Sequence, residues 1–354
     1  MSRRLLVLGG AATASLALAA SAFGKTQLLV TAAAELGASA ATVVHIRGET
    51  TDAAPSRLTI YLPSGYVANL GQTAGTRIGT VTASVQRLML SPDAIDVPGT
   101  IVTDTPANYT SSFCAPGLHA AVWLVHLDVQ GTTVDVPVYV DRTTGNEALF
   151  SSAKLVLCLP NPYEQAAPST RAPMGLRLVD TKLTLSAGMV TNPTFAGSFV
   201  WRAVVTPWTA NGAAENAPGT IEAQSIVNIP SSLSLKARVQ TKRHTKGGRT
   251  TVANSVLLSG KLLEDLKGVA GARITFFANG KTVGSAPTAT DGAFLRKTSL
   301  TRPTTLRATA TVPTRETTCL SPLSVTAAPA GCSAATIAGY KIGSDIVTAR
   351  PRRR

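Results

Sequence analysis

Gln130-Gly131 divides two alternating runs, residues 120–129 and 132–141, and nothing else in the chain restricts the fold so tightly. A two-residue turn at this point pairs Val129 with Thr132 and fixes the register outward. One face then matches Leu127 with Val134, Val125 with Val136 and Trp123 with Val138, all apolar. The other matches Asp128 with Thr133, His126 with Asp135 and Val122 with Tyr139. Side chains alternate across a strand, so two runs that sort together predict an antiparallel hairpin with one face in a core. Pro137 sharpens this. Leu124–Pro137 is a non-hydrogen-bonded pair in this register, so the missing N–H costs nothing on the hairpin side. A central strand would need that donor on its other side. The strand over 132–141 is therefore expected at an edge, or bulged or unpaired at Pro137.

The same pattern of short apolar runs broken by Gly, Pro, Asn and Asp recurs along the chain. Further strands are expected over 42–47, 57–62, 77–85, 153–158, 176–185, 198–206 and 220–229. They make residues 25–230 one β-sandwich domain, although 160–173 is proline-rich and linker-like. There are no coiled-coil heptads, no solenoid period and no long amphipathic helix. With 44 % hydrophobic and 15 % charged residues the chain has the composition of a folded protein.

Beyond Pro230 the strand signals continue. Leu233-Ser234-Leu235-Lys236-Ala237-Arg238-Val239 alternates, and Asn279-Gly280 is a strong hairpin turn because both residues tolerate positive φ. Ser259-Gly260, Ala270-Gly271-Ala272 and Thr290-Asp291-Gly292-Ala293-Phe294 resemble marks of bacterial immunoglobulin-like and carboxypeptidase-regulatory-like sandwich modules of secreted proteins. The resemblance implies a second β-sandwich, immunoglobulin-like, over residues 231–350, with the role of a scaffold or binding surface. A closing strand is expected at 344–349, and 351–354 reads as a disordered basic tail. The fragment 231–354 is expected to fold alone. The expected fold class is thus all-β: two β-sandwich domains in tandem after a cleaved signal peptide.

That signal peptide is residues 1–24. Arg3-Arg4 precede an apolar run to Ala20, and Ala20-Ser21-Ala22 fits small-residue cleavage. The general secretory route is preferred over the twin-arginine route, since nothing in the sequence needs a cofactor loaded before export, and no membrane span is expected in the mature chain. Cys114, Cys158, Cys319 and Cys332 have no metal-finger spacing, and an even count in an exported chain reads as disulfides. Three pairings are possible. Cys114–Cys158 with Cys319–Cys332 keeps each bridge inside one domain and is preferred. Closure of such loops stabilises by roughly 4 and 3 kcal/mol.

Enzymatic arrangements are missing from the sequence. It has no G-x-S-x-G elbow, no H-E-x-x-H helix and no glycine-rich phosphate loop, so no cofactor or metal is expected. His126 opposite Asp135 is the one suggestive pair, and it reads first as a surface ion pair. Asp291-Gly292 reads as a turn rather than a calcium corner, because calcium wants six or more oxygens.

Charge is more informative. Residues 25–230 carry eleven Lys/Arg against fourteen Asp/Glu, whereas 231–354 carry twenty against five. No acid occurs from Ala223 to Leu263, a stretch that holds Lys236, Arg238, Lys242, Arg243, Lys246, Arg249 and Lys261. On two adjacent strands and their connection these cations would attract polyanions, most strongly at low salt. Expected partners are anionic cell-envelope polymers or lipid headgroups. A specific nucleic acid is not expected, since no stacking aromatics interleave with the cations. The expectation is a non-enzymatic, secreted or envelope-associated surface protein. The alternatives are a β-sandwich that binds a glycan or peptide, and a hydrolase with dispersed active-site residues.

Overall fold

The computed structural model describes residues 26–87, 93–129, 131–163, 176–210, 212–320 and 331–351. The expected signal peptide, most of the 160–173 stretch and tail residues 352–354 lie outside them. The fold is all-β. Up to Pro230 the strands are β1 (Gln27–Thr31), β2 (Thr42–Arg47), β3 (Pro55–Pro63), β4 (Val67–Ala68), β5 (Arg77–Arg87), β6 (Ala94–Asp104), β7 (Ala121–Val129), β8 (Thr132–Arg142), β9 (Ser151–Cys158), β10 (Leu176–Leu185), β11 (Val190–Thr191), β12 (Gly197–Pro207) and β13 (Ile221–Ile229). Then come β14 (Ser231–Leu233), β15 (Lys236–Lys246), β16 (Arg249–Glu264), β17 (Lys267–Gly268), β18 (Arg273–Ala278), β19 (Lys281–Pro287), β20 (Ala293–Ser299) and β21 (Thr304–Val312). The last are β22 (Arg315–Thr317), β23 (Gly331–Ile337), β24 (Tyr340–Gly343) and β25 (Val347–Ala349).

The first sheet has thirteen strands in the order β1-β2-β10-β5-β6-β7-β8-β9-β3-β12-β13-β23-β22. A sheet this wide must coil to bury its apolar face, and this one rolls over onto itself. The Val30 N–H donates to Ser225 Oγ at 3.0 Å, and Thr336 Oγ1 donates to the Leu28 carbonyl at 2.9 Å. These bonds lay β1 against β13 and β23. A single core fills the roll, with Trp123, Trp201, Tyr66, Ile60 and Leu155 all buried. Tyr66 meets the Trp201 ring edge-on at 5.1 Å.

Strands β7 and β8 pair from Val129↔Thr132 to Ala121↔Val140, with Leu124 opposite Pro137. Trp123, Val125 and Leu127 point into the core, as their alternation requires. The ladder from β8 to β9 begins at Val138↔Leu157 and runs away from Pro137. So β8 is central over its second half, and its pairing to β9 does not reach the residue that lacks an N–H. Strand β6 uses the same device. Pro98 is paired with Thr82 of β5, while the ladder to β7 begins at Gly99↔Leu127. Strand β6 was not expected, and Pro98-Gly99 interrupts its alternation with two strand-breaking residues. Strand β1 was not expected either, since its short apolar run Leu28-Leu29-Val30 leads straight towards Ala32-Ala33-Ala34.

The second unit has two five-stranded sheets, one built on β14-β16-β15 with β17 and β20, the other on β19-β18-β21-β24 with β25. Between them lie Val256, Leu258, Ile274, Phe276, Phe294, Leu306 and Ala310, one continuous core. Asn279 and Gly280 have φ of 49° and 79° and turn β18 into β19, as their chemistry predicts. Gly260 has a separate reason to be glycine. A Cβ there would run into the Ser234 carbonyl and lie 2.6 Å from the Phe294 ring.

One expectation needs correction. Residues 231–350 are not a contiguous module, because β22 and β23 belong to the first sheet. Strand β23 pairs in parallel with β13 from Ile221↔Gly331 to Ile226↔Ile337, and β22 adds outside it. Without them β13 would present an open edge. The chain therefore leaves the second unit after Val312 and re-enters it at Tyr340. The bridges are Cys114–Cys158 and Cys319–Cys332, and the second staples this excursion. A fragment 231–354 would carry β22 and β23 without their partner strand, so its folding alone is no longer expected.

Candidate polyanion interface

The basic stretch folds into one long hairpin. Strands β15 and β16 pair without a break from Lys236↔Ser259 to Lys246↔Arg249. Gly247 and Gly248, with φ of 59° and 77°, supply a turn in the left-handed region that few residues other than glycine and asparagine enter readily. Only the base of the hairpin joins a wider sheet, since β20 pairs with β16 over Ser255–Lys261. Residues 241–246 and 249–254 extend beyond that pairing as a two-stranded ribbon. At about 3.4 Å per residue it reaches roughly 20 Å. Every residue from Lys242 to Thr251 is exposed.

Alternation decides where each cation points. Ala237 and Val239 pack on the core, as do Val256, Leu258 and Leu262 of the partner strand. Lys236, Arg238, Lys242 and Lys246 therefore share the outward face of β15, and Arg249 and Lys261 share that of β16. Arg243, opposite Val252, is on the other face. The structure thus brings six of the seven anticipated residues onto one surface and leaves Arg243 behind it. Lys297 of β20, opposite Leu257, joins the outward face and was not anticipated. Neither its strand nor that strand's register with β16 was anticipated.

Among the described residues no carboxylate pairs with Lys236, Arg238, Lys242, Lys246, Arg249 or Lys297. Lys246 even lies directly opposite Arg249, a like-charge pair that works against the ribbon. Lys261 differs. Its ammonium is 2.9 Å from Asp291, whose carboxyl is held below its ordinary range by that bond and by the Ala293 N–H. Asp291→Asn keeps an oxygen for Ala293 and frees Lys261. We expect roughly twofold tighter binding of an anionic polymer at low salt, a gain that screening removes near 500 mM NaCl. Titration of both proteins at the two salt concentrations measures it, and unchanged affinity at low salt would take Lys261 out of the interface.

The remaining sequence candidates are quickly placed. Asp291-Gly292 is a turn, with the Gly292 N–H on the Ala289 carbonyl at 2.9 Å. His126 and Asp135 meet at 2.5 Å as a cross-strand pair whose side chains are 33 % and 50 % exposed, and among the described residues no third side chain is hydrogen-bonded to either. Two similar pairs were not foreseen: His45–Asp180 joins strands far apart in the chain, and His119–Asp141 lies just past the open end of the hairpin around Gln130-Gly131. Among the described residues no cluster of His, Cys, Asp or Glu is placed to hold a metal, and no helix is long and apolar enough to cross a membrane.

Comparison with known proteins returns no matching family model, no similar curated protein and no similar solved structure.

Proposed function

We propose that this is an exported, non-enzymatic protein whose second unit, an immunoglobulin-like β-sandwich, docks on anionic cell-envelope polymers through the projecting hairpin. The observation that carries the reading is the ribbon itself. A basic edge that only prevents aggregation needs its charges on the folded sheet. Here Lys242, Lys246 and Arg249 sit on a segment past the wider sheet, where nine of twelve residues are exposed and none is fully buried. Ordering backbone costs about 1–2 kcal/mol per residue, so a ribbon without core contacts has little stabilising role to offer. What it offers is reach and an unneutralised field.

Polymers suit it better than lipid. From Gln240 to Asn254 the ribbon has no aromatic residue and no long aliphatic one to insert below headgroups. Two disulfides fit an extracellular setting. The test is retention of the full chain on immobilised poly(glycerol phosphate). About five phosphate contacts imply a loss of three decades or more in affinity per tenfold rise in salt, by counterion release. Binding that is equal at 50 and 500 mM NaCl, or absent at 50 mM, would overturn the reading. Tighter retention on anionic vesicles than on the polymer would transfer it to lipid.

A further inference from the structure

The first unit carries a concavity on the outer face of its sheet, independent of the ribbon. Its volume is about 530 Å³, within the usual range for small-ligand sites. The floor is a row of cross-strand neighbours, Asp141↔Lys154, Lys154↔Tyr61 and Tyr61↔Arg202. Each is held in place by a partner. The Tyr61 hydroxyl donates to Glu147 Oε1 at 2.7 Å, and Lys154 Nζ donates to Glu147 Oε2 at 2.8 Å. Arg202 is paired with Glu222, both buried, and lies over the Phe150 ring at 5.8 Å.

The walls are equally fixed. Cys114–Cys158 ties one loop to the end of β9, and His119 clamps it with its two ring nitrogens, on Asp141 at 2.9 Å and on the Ala115 carbonyl at 3.0 Å. The loops beside the groove also carry apolar residues that stand exposed among the described residues. Leu118 is 83 % exposed, Leu149 is 80 % exposed, and Phe113 is 59 % exposed while stacked on Trp208. A preorganised polar floor with apolar side chains standing free nearby is the pattern of a binding site rather than of an ordinary sheet face.

We propose that this groove binds a neutral oligosaccharide. Its lining holds three cations, Arg57, Lys154 and Arg202, against three carboxylates, Asp141, Glu147 and Glu222, so no net field favours an ion. Donors and acceptors instead alternate along the floor, and hydroxyl groups both give and accept hydrogen bonds. Tyr61 and Phe150, 5.3 Å apart, offer ring surface to the apolar face of a sugar. An extended peptide would seek a strand edge for main-chain pairing, and β3, β9 and β12 are each paired on both sides.

Calorimetry of the full chain with chitotetraose, cellotetraose and maltotetraose tests this, with tetragalacturonate and an extended neutral peptide as contrasts. At least one neutral tetrasaccharide should bind with Kd between about 10 μM and 1 mM. Tyr61→Phe removes one floor hydroxyl, and the exposed changes Leu118→Lys and Leu149→Lys leave the fold alone. Tyr61→Phe, or the two leucine changes together, should weaken the sugar at least tenfold without altering retention on poly(glycerol phosphate). No binding by any of the three sugars to the folded protein would overturn the proposal. So would binding that ignores these variants, or a preference for the peptide or the acidic sugar.

Discussion

Charge reversal of Lys242, Lys246 and Arg249 to Glu lowers affinity for poly(glycerol phosphate) at least a hundredfold at 50 mM NaCl. The three changes shift the outward face of the ribbon by six charges and leave only the cations at its base. Each lost contact also removes its share of counterion release, so the salt dependence flattens as the affinity falls. The fold should be indifferent, because these residues are exposed and their backbone bonds remain. One like-charge pair, Lys246 opposite Arg249, merely becomes another. Arg243→Glu serves as the internal control. It lies on the other face, and a single reversal there should cost no more than about threefold through the general field. A loss for Arg243→Glu as large as one third of the triple variant's, on a logarithmic scale, would mean that net charge, not the outward face, governs attachment.

Arg202→Met produces the largest loss of stability, about 3 kcal/mol. The guanidinium and the Glu222 carboxylate are both desolvated, with side chains 9 % and 4 % exposed. Removing the cation alone strands a buried carboxylate, and breaking such pairs costs on the order of 3–5 kcal/mol. Gln224, whose Nε2 donates to the same carboxylate at 2.8 Å, keeps the cost at the low end. Changing both residues to Met should recover most of the loss, because two apolar side chains need no partner there. Urea unfolding at neutral pH measures all three proteins. A double variant as unstable as the single one would show that packing, rather than the stranded charge, sets the cost.

What was legible in the sequence was local. The hairpin around Gln130-Gly131 could be registered because both of its faces sort at once, and Asn279-Gly280 because turn chemistry is short-range. The cations of β15 and β16 were visible as a run without acids, and the hairpin placed them together. Lys297 and the Lys261–Asp291 pair depend on how β16 meets β20 and the turn before it, information that no single run contains. The groove was invisible for the same reason. Tyr61, Lys154 and Arg202 come from three strands far apart in the chain, and alternation alone marks them as outward-facing polar residues. Strand β23 was harder still. It is a short run of small residues, and it pairs in parallel with a strand more than a hundred residues earlier.

That strand has a mechanical consequence. The backbone passes between the two units three times: at Pro230, between Val312 and Arg315, and between Ile337 and Tyr340. Units on a single tether swivel about it. Three crossings, braced by Arg315 on Glu264 at 2.9 Å and by the Ser231 N–H on the Ala34 carbonyl at 2.8 Å, leave no such pivot. A pull on the hairpin tip would therefore be shared among parallel connections and delivered into a thirteen-stranded sheet. The molecule would bear load as a bracket rather than as a chain of links.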